Sequence, residues 1–323
     1  MNRPARATID LEAIRHNVKV AKRAAPQSRV LAAVKADAYG HGLTRVLSAF
    51  EEVDALAVAS VEEAVALRAV SDKDIVVLQG IRQPEHLALC TKHALQPVFH
   101  QSQQLDWLSR WSSQDSMLSV WLKVDSGMHR LGFDLDAVER AFVRLSDHAA
   151  VNRVACMTHM ACADDRSDDY TLQQLKAFER VTADLSAPRS AANSACVLGW
   201  PQAHYDWVRP GIMLYGASPF IGDTAQDWGL QPAMRLTAPI VAIKHCRKGD
   251  AVGYGRSWVC PKPMTLGVVA IGYGDGYPRH ANNQTPAWVK GHTTHLVGRV
   301  SMDMIAIDLT GYTDVSIDDE VVL

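Results

Sequence analysis

The chain lacks any hydrophobic run long enough to cross a membrane, and it has almost no excess of either charge. Its 323 residues carry a formal net charge of −2 at pH 7, and 21% of them are charged. This balance gives no electrostatic reason to expect nucleic acid or an anionic membrane surface as a partner. No uncharged apolar stretch approaches the ~20 residues that a spanning helix needs. The composition is that of an ordinary globular protein.

Two further absences concern paired cysteines and the N-terminal segment. The six cysteines are scattered, and no two of them form a CxxC pair. Scattered thiols favour free cysteines in a reducing compartment over a disulfide framework. Residues 1–10 include basic side chains but no apolar segment follows them, so no secretory signal is expected. Together these absences predict a cytoplasmic protein.

No internal repeat or low-complexity linker divides the chain, but its pattern changes at about residue 220. Before that point, short β-favouring apolar runs alternate with helical patterns, which is typical of a parallel sheet. The chain contains eight such runs, and eight βα units favour a closed (β/α)8 barrel over an open sheet. The predicted strands are 29–34, 55–59, 75–78, 95–99, 118–124, 151–157, 189–193 and 212–215.

Beyond residue 220, short β-rich runs are divided by glycine, proline and charged turns. We therefore predict a barrel domain over residues 1–227 and a mostly β C-terminal domain over residues 228–323. Residues 319–323 form a strand pattern that stops in mid-run. A β domain that ended there would leave an unpaired apolar edge, so the second domain is expected to be truncated.

Lys35 is the polar residue with the most unusual predicted position. It follows the buried strand pattern 29–34 and is soon followed by Gly40, Gly42 and a helical pattern. An ammonium group at an apolar strand end costs free energy unless it is neutralised, paired or made covalent. Two interpretations are open at this point. The lysine reaches water from the strand end, or it forms a Schiff base with a carbonyl cofactor.

Other polar groups also fall at the ends of predicted strands, which meet at one rim of a barrel where active sites lie. They are Tyr39, residues 125–132, Thr158 and His159, residues 193–195 and residues 208–212. Ser194 and the backbone of Gly211 and Ile212 lie by the seventh and eighth strands, where barrels commonly bind phosphate. A carbonyl-reactive lysine, a phosphate pocket and an aromatic-lined rim favour pyridoxal 5′-phosphate (PLP) as cofactor.

Six motifs, in order along the chain, resemble those of the bacterial alanine racemases. They are VKADAYGHG from Val34, KVDSGMHRLG from Lys123, VRPGIMLYG from Val208, VGYGRSW from Val252, IGYGDGYPR from Ile271 and GRVSMD from Gly298. The resemblance extends from Thr8 to Leu323. It implies a PLP-dependent isomerase of fold type III that interconverts L-alanine and D-alanine. A biosynthetic role in supplying D-alanine for peptidoglycan and a catabolic role both stay open.

The resemblance also implies two catalytic residues. Lys35 would bind the cofactor covalently and act as one of two acid/base groups at the substrate Cα. Tyr254 would act as the other and would come from a second subunit, which implies a head-to-tail homodimer. A phenol with a pKa of about 10 needs a cationic environment to act near neutral pH. His159 and Arg209 are expected to supply that environment.

Further roles follow from the same resemblance. Arg209 would face the pyridine nitrogen and leave it unprotonated. Arg130 would bind the cofactor's phenolic oxygen and the substrate carboxylate. Lys123 matches a lysine that is carbamylated in many members, and the carbamate would orient Arg130. Met302 and Asp303 match two substrate-pocket residues that come from the partner subunit. Tyr273 matches a tyrosine at the entrance, and Tyr39 matches a tyrosine on the phosphate side.

Two other functions fit parts of the pattern. A fold-type III decarboxylase shares the architecture, but that family has an acidic residue at the pyridine nitrogen and a Gly-Gly-Gly phosphate loop, whereas this chain has Arg209 and no such loop. An impaired or non-catalytic PLP-binding remnant would follow if the chain truly ended at Leu323. No metal is expected, because the acidic run after His159 precedes a helix, where carboxylates cap and solvate.

Overall fold

The structure, a computed structural model, describes residues 3–112 and 117–323. It forms two compact units, one made of Asp10–Ala233 and the other of residues 3–9 together with Met234–Leu323. This division differs from the predicted one at residue 227, because strand β1 (Arg6–Ile9) pairs antiparallel with residues 234–237 of the second unit. Within the described residues, no helix is both long and apolar enough to cross a membrane.

Within the described part of Asp10–Ala233, eight short parallel strands form a nearly closed barrel, so the predicted barrel is confirmed. The strands are β2 (Arg29–Ala33), β3 (Ala55–Val58), β4 (Asp74–Val77), β5 (Leu95–Phe99), β6 (Leu118–Lys123), β7 (Val151–Met157), β8 (Arg189–Ser190) and β9 (Trp207–Val208). Their neighbour order is β8-β7-β6-β5-β4-β3-β2-β9. The Ser190 hydroxyl donates to the Trp207 carbonyl across the β8–β9 gap, at 2.7 Å.

Helices connect these strands. The first begins at Leu11, directly after its N-cap Asp10, whose carboxylate accepts hydrogen bonds from the Glu12 and Ala13 amides. The α-helices are Leu11–Ala24, Leu43–Val46, Val61–Arg68, Glu85–Lys92, Ser102–Ser109, Val138–Ser146, Tyr170–Thr182 and Ser194–Gly199. Short 3-10 turns cover Leu47–Phe50, Leu135–Ala137, Pro201–Ala203, Ile212–Tyr215, Gln226–Trp228, Tyr254–Arg256 and Tyr273–Asp275.

The predicted eighth strand at residues 212–215 is wrong. The eighth strand is β9, and residues 212–215 form a 3-10 turn whose Met213, Leu214 and Tyr215 are buried. A short buried apolar run has the same pattern in a strand and in a helical turn. Pro210 has no N–H with which to continue the ladder, so the strand ends before it. Arg209 therefore follows its strand directly, at the rim.

Apolar side chains from most of the strands fill the barrel, which makes it a packed core. Trp121 and Trp207 meet edge to face with ring centroids 5.9 Å apart, and both are buried. The other members of this core are Leu31, Ala55, Ala57, Val76, Val98, Ala155 and Met157. Because the interior is filled, space for a ligand remains at the rim.

The second unit is mostly antiparallel β-structure, as predicted. Its main sheet has the order β15-β14-β17-β10-β13-β16, with β1 also on β10, and β11 pairs with β12. The bounds are β10 (Met234–Cys246), β11 (Ala251–Val252), β12 (Trp258–Val259), β13 (Met264–Val269), β14 (Pro286–Val289), β15 (His292–His295), β16 (Ile305–Asp308) and β17 (Glu320–Val322). The predicted unpaired edge at residues 319–323 is wrong, because β17 lies between β10 and β14 and Val321 is fully buried.

Candidate active site

The carboxyl ends of the barrel strands surround a cavity of about 580 Å³. All of its lining residues lie between Ala33 and Pro219. The residues predicted for the rim line it together: Lys35, Tyr39, Lys123, Arg130, His159, Ser194, Arg209, Gly211 and Ile212. Lysine and arginine outnumber the acidic lining residue, Asp164. The arrangement suits a small ligand with more than one negative group.

Lys35 lies directly after β2, and the chain then enters a left-handed turn. Residues 36–39 all have φ between 53° and 55°, and Gly40 has φ of 81°. Each non-glycine residue in this conformation costs about 1 kcal/mol or more, because Cβ approaches the following carbonyl oxygen. The turn allows Lys35 and Tyr39 to line the same cavity. The sequence predicts only a βα turn here, since alanine, aspartate and tyrosine do not signal left-handed backbone.

Tyr39, Ser194 and Gly211 form one side of the cavity. The Tyr39 ring stacks on Tyr215 with centroids 4.8 Å apart. A Cβ atom at residue 211 would collide with the Tyr39 hydroxyl, so only glycine permits this approach. The Ser194 hydroxyl oxygen accepts hydrogen bonds from the Gly211 amide at 2.8 Å and the Met213 amide at 3.3 Å. Its own O–H is then left to donate to a ligand.

Arg209 is buried at the base of the cavity and is held by several acceptors. Its guanidinium donates to the Ser190 hydroxyl at 2.6 Å, to the Thr158 carbonyl at 2.5 Å and to the Ala191 carbonyl at 3.3 Å. Burial lowers the pKa of Arg209 to about 10. The group therefore still carries its proton and its charge at neutral pH.

His159 does not carry the positive charge predicted for it. Burial lowers its pKa well below the usual value, and the charges of Arg209 and Lys123 lower it further. The ring is therefore neutral near pH 7, with Nδ1 3.3 Å from the Arg209 guanidinium. The prediction of a cationic His159 is wrong, because the residue type alone does not reveal how many fixed cations surround the ring.

Lys123 is the last residue of β6 and is largely buried. Burial lowers its pKa to about 8, with further contributions from Arg209, Arg130 and Lys35. After Lys123 the chain forms a loop in which the Asp125 carboxylate accepts from the Gly127 and His129 amides. Arg130 reaches the cavity from this loop.

The sequence reasoning did not name Gln79 or Ser218, two polar residues of the cavity wall. Gln79 closely follows β4, and that position was the available signal. Asn193, one of the predicted rim residues, lines the cavity as well. Asn193 also begins the helix Ser194–Gly199, because its side-chain oxygen accepts from the Cys196 amide at 3.0 Å. It therefore fixes where Ser194 lies.

Tyr254, Tyr273, Met302 and Asp303 belong to the second unit. Tyr254 is 71% exposed and lies in a turn whose flanking Gly253 and Gly255 have φ of 66° and 68°. Tyr273, Met302 and Asp303 lie on two adjacent segments, because the Tyr273 amide donates to the Ser301 carbonyl and the Gly274 amide donates to the Met302 carbonyl. Arg3 forms ion pairs with Asp303 and Asp275.

Two family models together match almost the whole chain. The alanine racemase N-terminal domain matches residues 9–219, and the alanine racemase C-terminal domain matches residues 233–323. The chain belongs to the alanine racemase family. The resemblance inferred from the six motifs is therefore confirmed.

Individual alanine racemases are similar over all or nearly all of the chain. The enzyme of Halorhodospira halophila is 50% identical over 326 residues, which cover 100% of this chain and 89% of that protein. The catabolic alanine racemase of Pseudomonas putida is 48% identical over 310 residues, covering 95% of this chain and 86% of that protein.

Solved alanine racemase structures share the fold. The biosynthetic alanine racemase of Pseudomonas aeruginosa matches with a TM-score of 0.96 and 44% identity, covering 100% of this chain and 90% of that one. The Bartonella henselae alanine racemase, whose crystal structure has covalently bound pyridoxal phosphate, matches with a TM-score of 0.87 and 30% identity, covering 100% and 90%.

Proposed function

We propose that this alanine racemase family member interconverts L-alanine and D-alanine with PLP held at Lys35. The observation that carries the proposal is the convergence of Lys35, Arg209 and the Ser194–Gly211 pair on one cavity at the barrel rim. A lysine amine, a fixed guanidinium and a hydroxyl donor match the aldehyde, the ring nitrogen and the phosphate of PLP. No other cavity residue is needed for this assignment.

The residues present fit the cofactor in size and in charge. A cavity of about 580 Å³ is in the range that binds small ligands. The phosphate would lie by Ser194, Gly211 and Tyr39, where glycine leaves room for close approach. Arg130 would hold the phenolic oxygen and the substrate carboxylate. PLP, when bound, supplies the electron sink that stabilises negative charge at the substrate Cα.

Arg209 limits the reactions that the site favours. Its pKa of about 10 keeps the guanidinium protonated near neutral pH, so it would donate a hydrogen bond to the pyridine nitrogen of bound PLP without giving up a proton. Negative charge at the substrate Cα would then be weakly delocalised, and a proton would return to Cα quickly. Delivery of that proton to the face opposite the one it left inverts the centre.

Racemisation needs a proton carrier on each face of the substrate Cα. The Lys35 amine serves one face. For the other we propose Tyr254 of a second copy of the chain, because the resemblance to the alanine racemases implies this role and Tyr254 is well exposed. Tyr273, Met302 and Asp303 would accompany it. The protein is then a homodimer with shared active sites.

We expect the PLP-loaded protein to abolish the optical rotation of an L-alanine solution. D-alanine should form at the rate at which L-alanine disappears. D-alanine should give the reverse reaction, with the ratio of the two alanines approaching one at equilibrium. Release of CO₂, with the unreacted alanine still in its original configuration, would instead identify a decarboxylase. Bound PLP without either reaction would identify a non-catalytic protein.

Lys123 is expected to be carbamylated, and the rate should depend on pH. CO₂ reacts with the neutral amine, and a pKa of about 8 leaves about a tenth of Lys123 neutral at pH 7, against less than about a thousandth for an ordinary lysine. At fixed dissolved CO₂, the rate should rise about tenfold between pH 6 and 7 and level off above about pH 8.

Peptide mass spectrometry after trapping of the carbamate measures this rate. Lys123→Arg is the control, because it keeps a positive charge and cannot be carbamylated. We expect the carbamate to orient Arg130 by an ion pair, so Lys123→Arg should raise KM for alanine. Unmodified Lys123 at saturating CO₂ and pH 8 would contradict the prediction.

A further inference from the structure

Glu63 joins the segment after Lys35 to the segment after β3. Its carboxylate accepts a hydrogen bond from the Ala36 amide at 3.0 Å and another from the Ala59 amide at 2.7 Å. Glu63 belongs to the helix Val61–Arg68, whose first turn is fixed by the Ser60 hydroxyl, which accepts from the Glu63 amide. One half-buried side chain on a rigid element therefore holds two βα loops of the barrel rim.

The Ala36 amide lies at the start of the strained left-handed turn. Ala36 is the first of the consecutive residues with positive φ, and it directly follows Lys35. Further along the turn, the Ala38 amide donates to the Val34 carbonyl at 2.9 Å, and the Asp37 carboxylate accepts from the Leu43 amide at 2.7 Å. A left-handed run of non-glycine residues persists only where its surroundings hold it. At the first residue of this run, Ala36, the stabilising contact is the hydrogen bond to the Glu63 carboxylate.

We propose that Glu63 is a positioning residue for Lys35 in alanine racemisation, holding the left-handed turn so that the lysine amine keeps its place when it is not bonded to the cofactor. The inference rests on the proposed function. While the amine is bonded, the covalent tether itself keeps Lys35 in place. While the amine is free and carries a proton, only the backbone of the turn keeps Lys35 in place. The contribution of Glu63 therefore falls on turnover more than on substrate binding.

Glu62 provides a matched control. It is the neighbouring residue in the same helix and has the same chemistry, but its carboxylate is exposed, pairs with Arg82 at 2.9 Å and lies 3.8 Å from Nε2 of His86. A change of Glu62 to glutamine removes a surface ion pair, which contributes little. A change of Glu63 to glutamine leaves one oxygen to accept and points an NH₂ group toward an amide N–H.

The experiment measures amide hydrogen exchange over residues 34–42, together with kcat and KM, in the PLP-loaded wild type, Glu63→Gln and Glu62→Gln. For Glu63→Gln we expect about tenfold faster exchange at Ala36 and Ala59 and a kcat about tenfold lower or more. We expect KM to change by less than about twofold. Glu62→Gln should match the wild type in all three. Glu63→Asp, which is too short to reach both amides, repeats the test if Glu63→Gln folds poorly.

Adding Ala36→Gly to Glu63→Gln tests whether the turn carries the effect. Glycine adopts positive φ without steric cost, so the double variant should recover a large part of kcat. Wild-type kcat in Glu63→Gln, or a low kcat with unchanged exchange over residues 34–42, would overturn the inference. A wild type that exchanges normally but does not racemise alanine would instead show that the proposed function has failed.

Discussion

Lys35→Ala is expected to lower the rate of alanine racemisation by at least about 10⁴-fold in both directions. The variant loses the group that binds PLP covalently and one of the two proton carriers, and each of these contributes a large factor. No other lysine takes over, because Lys123, which shares the cavity, is held at the end of β6. Stopped-assay measurement of D-alanine formed from L-alanine gives the rate.

The same variant should lack the absorbance of covalently bound PLP, although PLP still binds through Ser194, Gly211 and Arg209. Lys35→Arg keeps the charge but cannot form the bond, so it should be as inactive as the alanine variant. Lys176→Ala, on the exposed surface of the helix Tyr170–Thr182, is the control and should be unchanged. Racemisation within tenfold of the wild type in Lys35→Ala would refute the assignment.

The barrel was predictable from the sequence because its determinants are local and repeated. Seven of the eight strands lie where alternating β and helical patterns place them. The eighth differs because a four-residue apolar run does not distinguish a strand from a buried turn. The assignment of strand β1 to the second unit depends on pairing with residues more than two hundred positions away, which no local pattern reports.

The sequence predicts which residues meet at the candidate site to the extent that this depends on their position relative to the barrel strands. Parallel strands end at one rim, so residues that directly follow strands are brought together whatever their distance along the chain. That reasoning groups Lys35 and His159. Arg209 precedes the predicted eighth strand at 212–215, and it joins the rim because the actual strand, β9, ends at Val208. Position alone does not give the charge states of these residues, which depend on burial and on neighbouring cations. It also does not reveal the left-handed turn after Lys35. Contacts with the surrounding residues stabilise that turn, although alanine, aspartate and tyrosine disfavour positive φ.

Burial in the cavity lowers the pKa of Arg209, Lys123 and His159, but the three groups end in different charge states. Arg209 keeps its proton because the ordinary pKa of a guanidinium is so high that burial still leaves it near 10. Lys123 starts lower and is brought to about 8, and His159 becomes neutral. One electrostatic environment therefore provides a permanent cation, a lysine that can react with CO₂ and a neutral imidazole.

Tyr254→Phe is the second variant for which we expect a very large effect. Removal of one proton carrier should lower racemisation about 10²- to 10⁴-fold in both directions, because each direction uses both carriers. Lys35 would still remove the Cα proton of one enantiomer and return a solvent-derived one to the same face. In D₂O we therefore expect deuterium at Cα of one enantiomer only, without inversion, as measured by NMR and chiral chromatography.

Tyr312→Phe is the control, because its hydroxyl donates to the Thr293 carbonyl in the same unit and has no proposed role. Mixing Lys35→Ala with Tyr254→Phe subunits tests whether Tyr254 acts on a second copy. About half of the resulting dimers combine both variants, and each of these holds one complete site, so about a quarter of wild-type activity should return. Full racemisation by Tyr254→Phe would exclude the tyrosine as the second carrier. Failure of the mixture to recover activity would exclude a site shared between subunits.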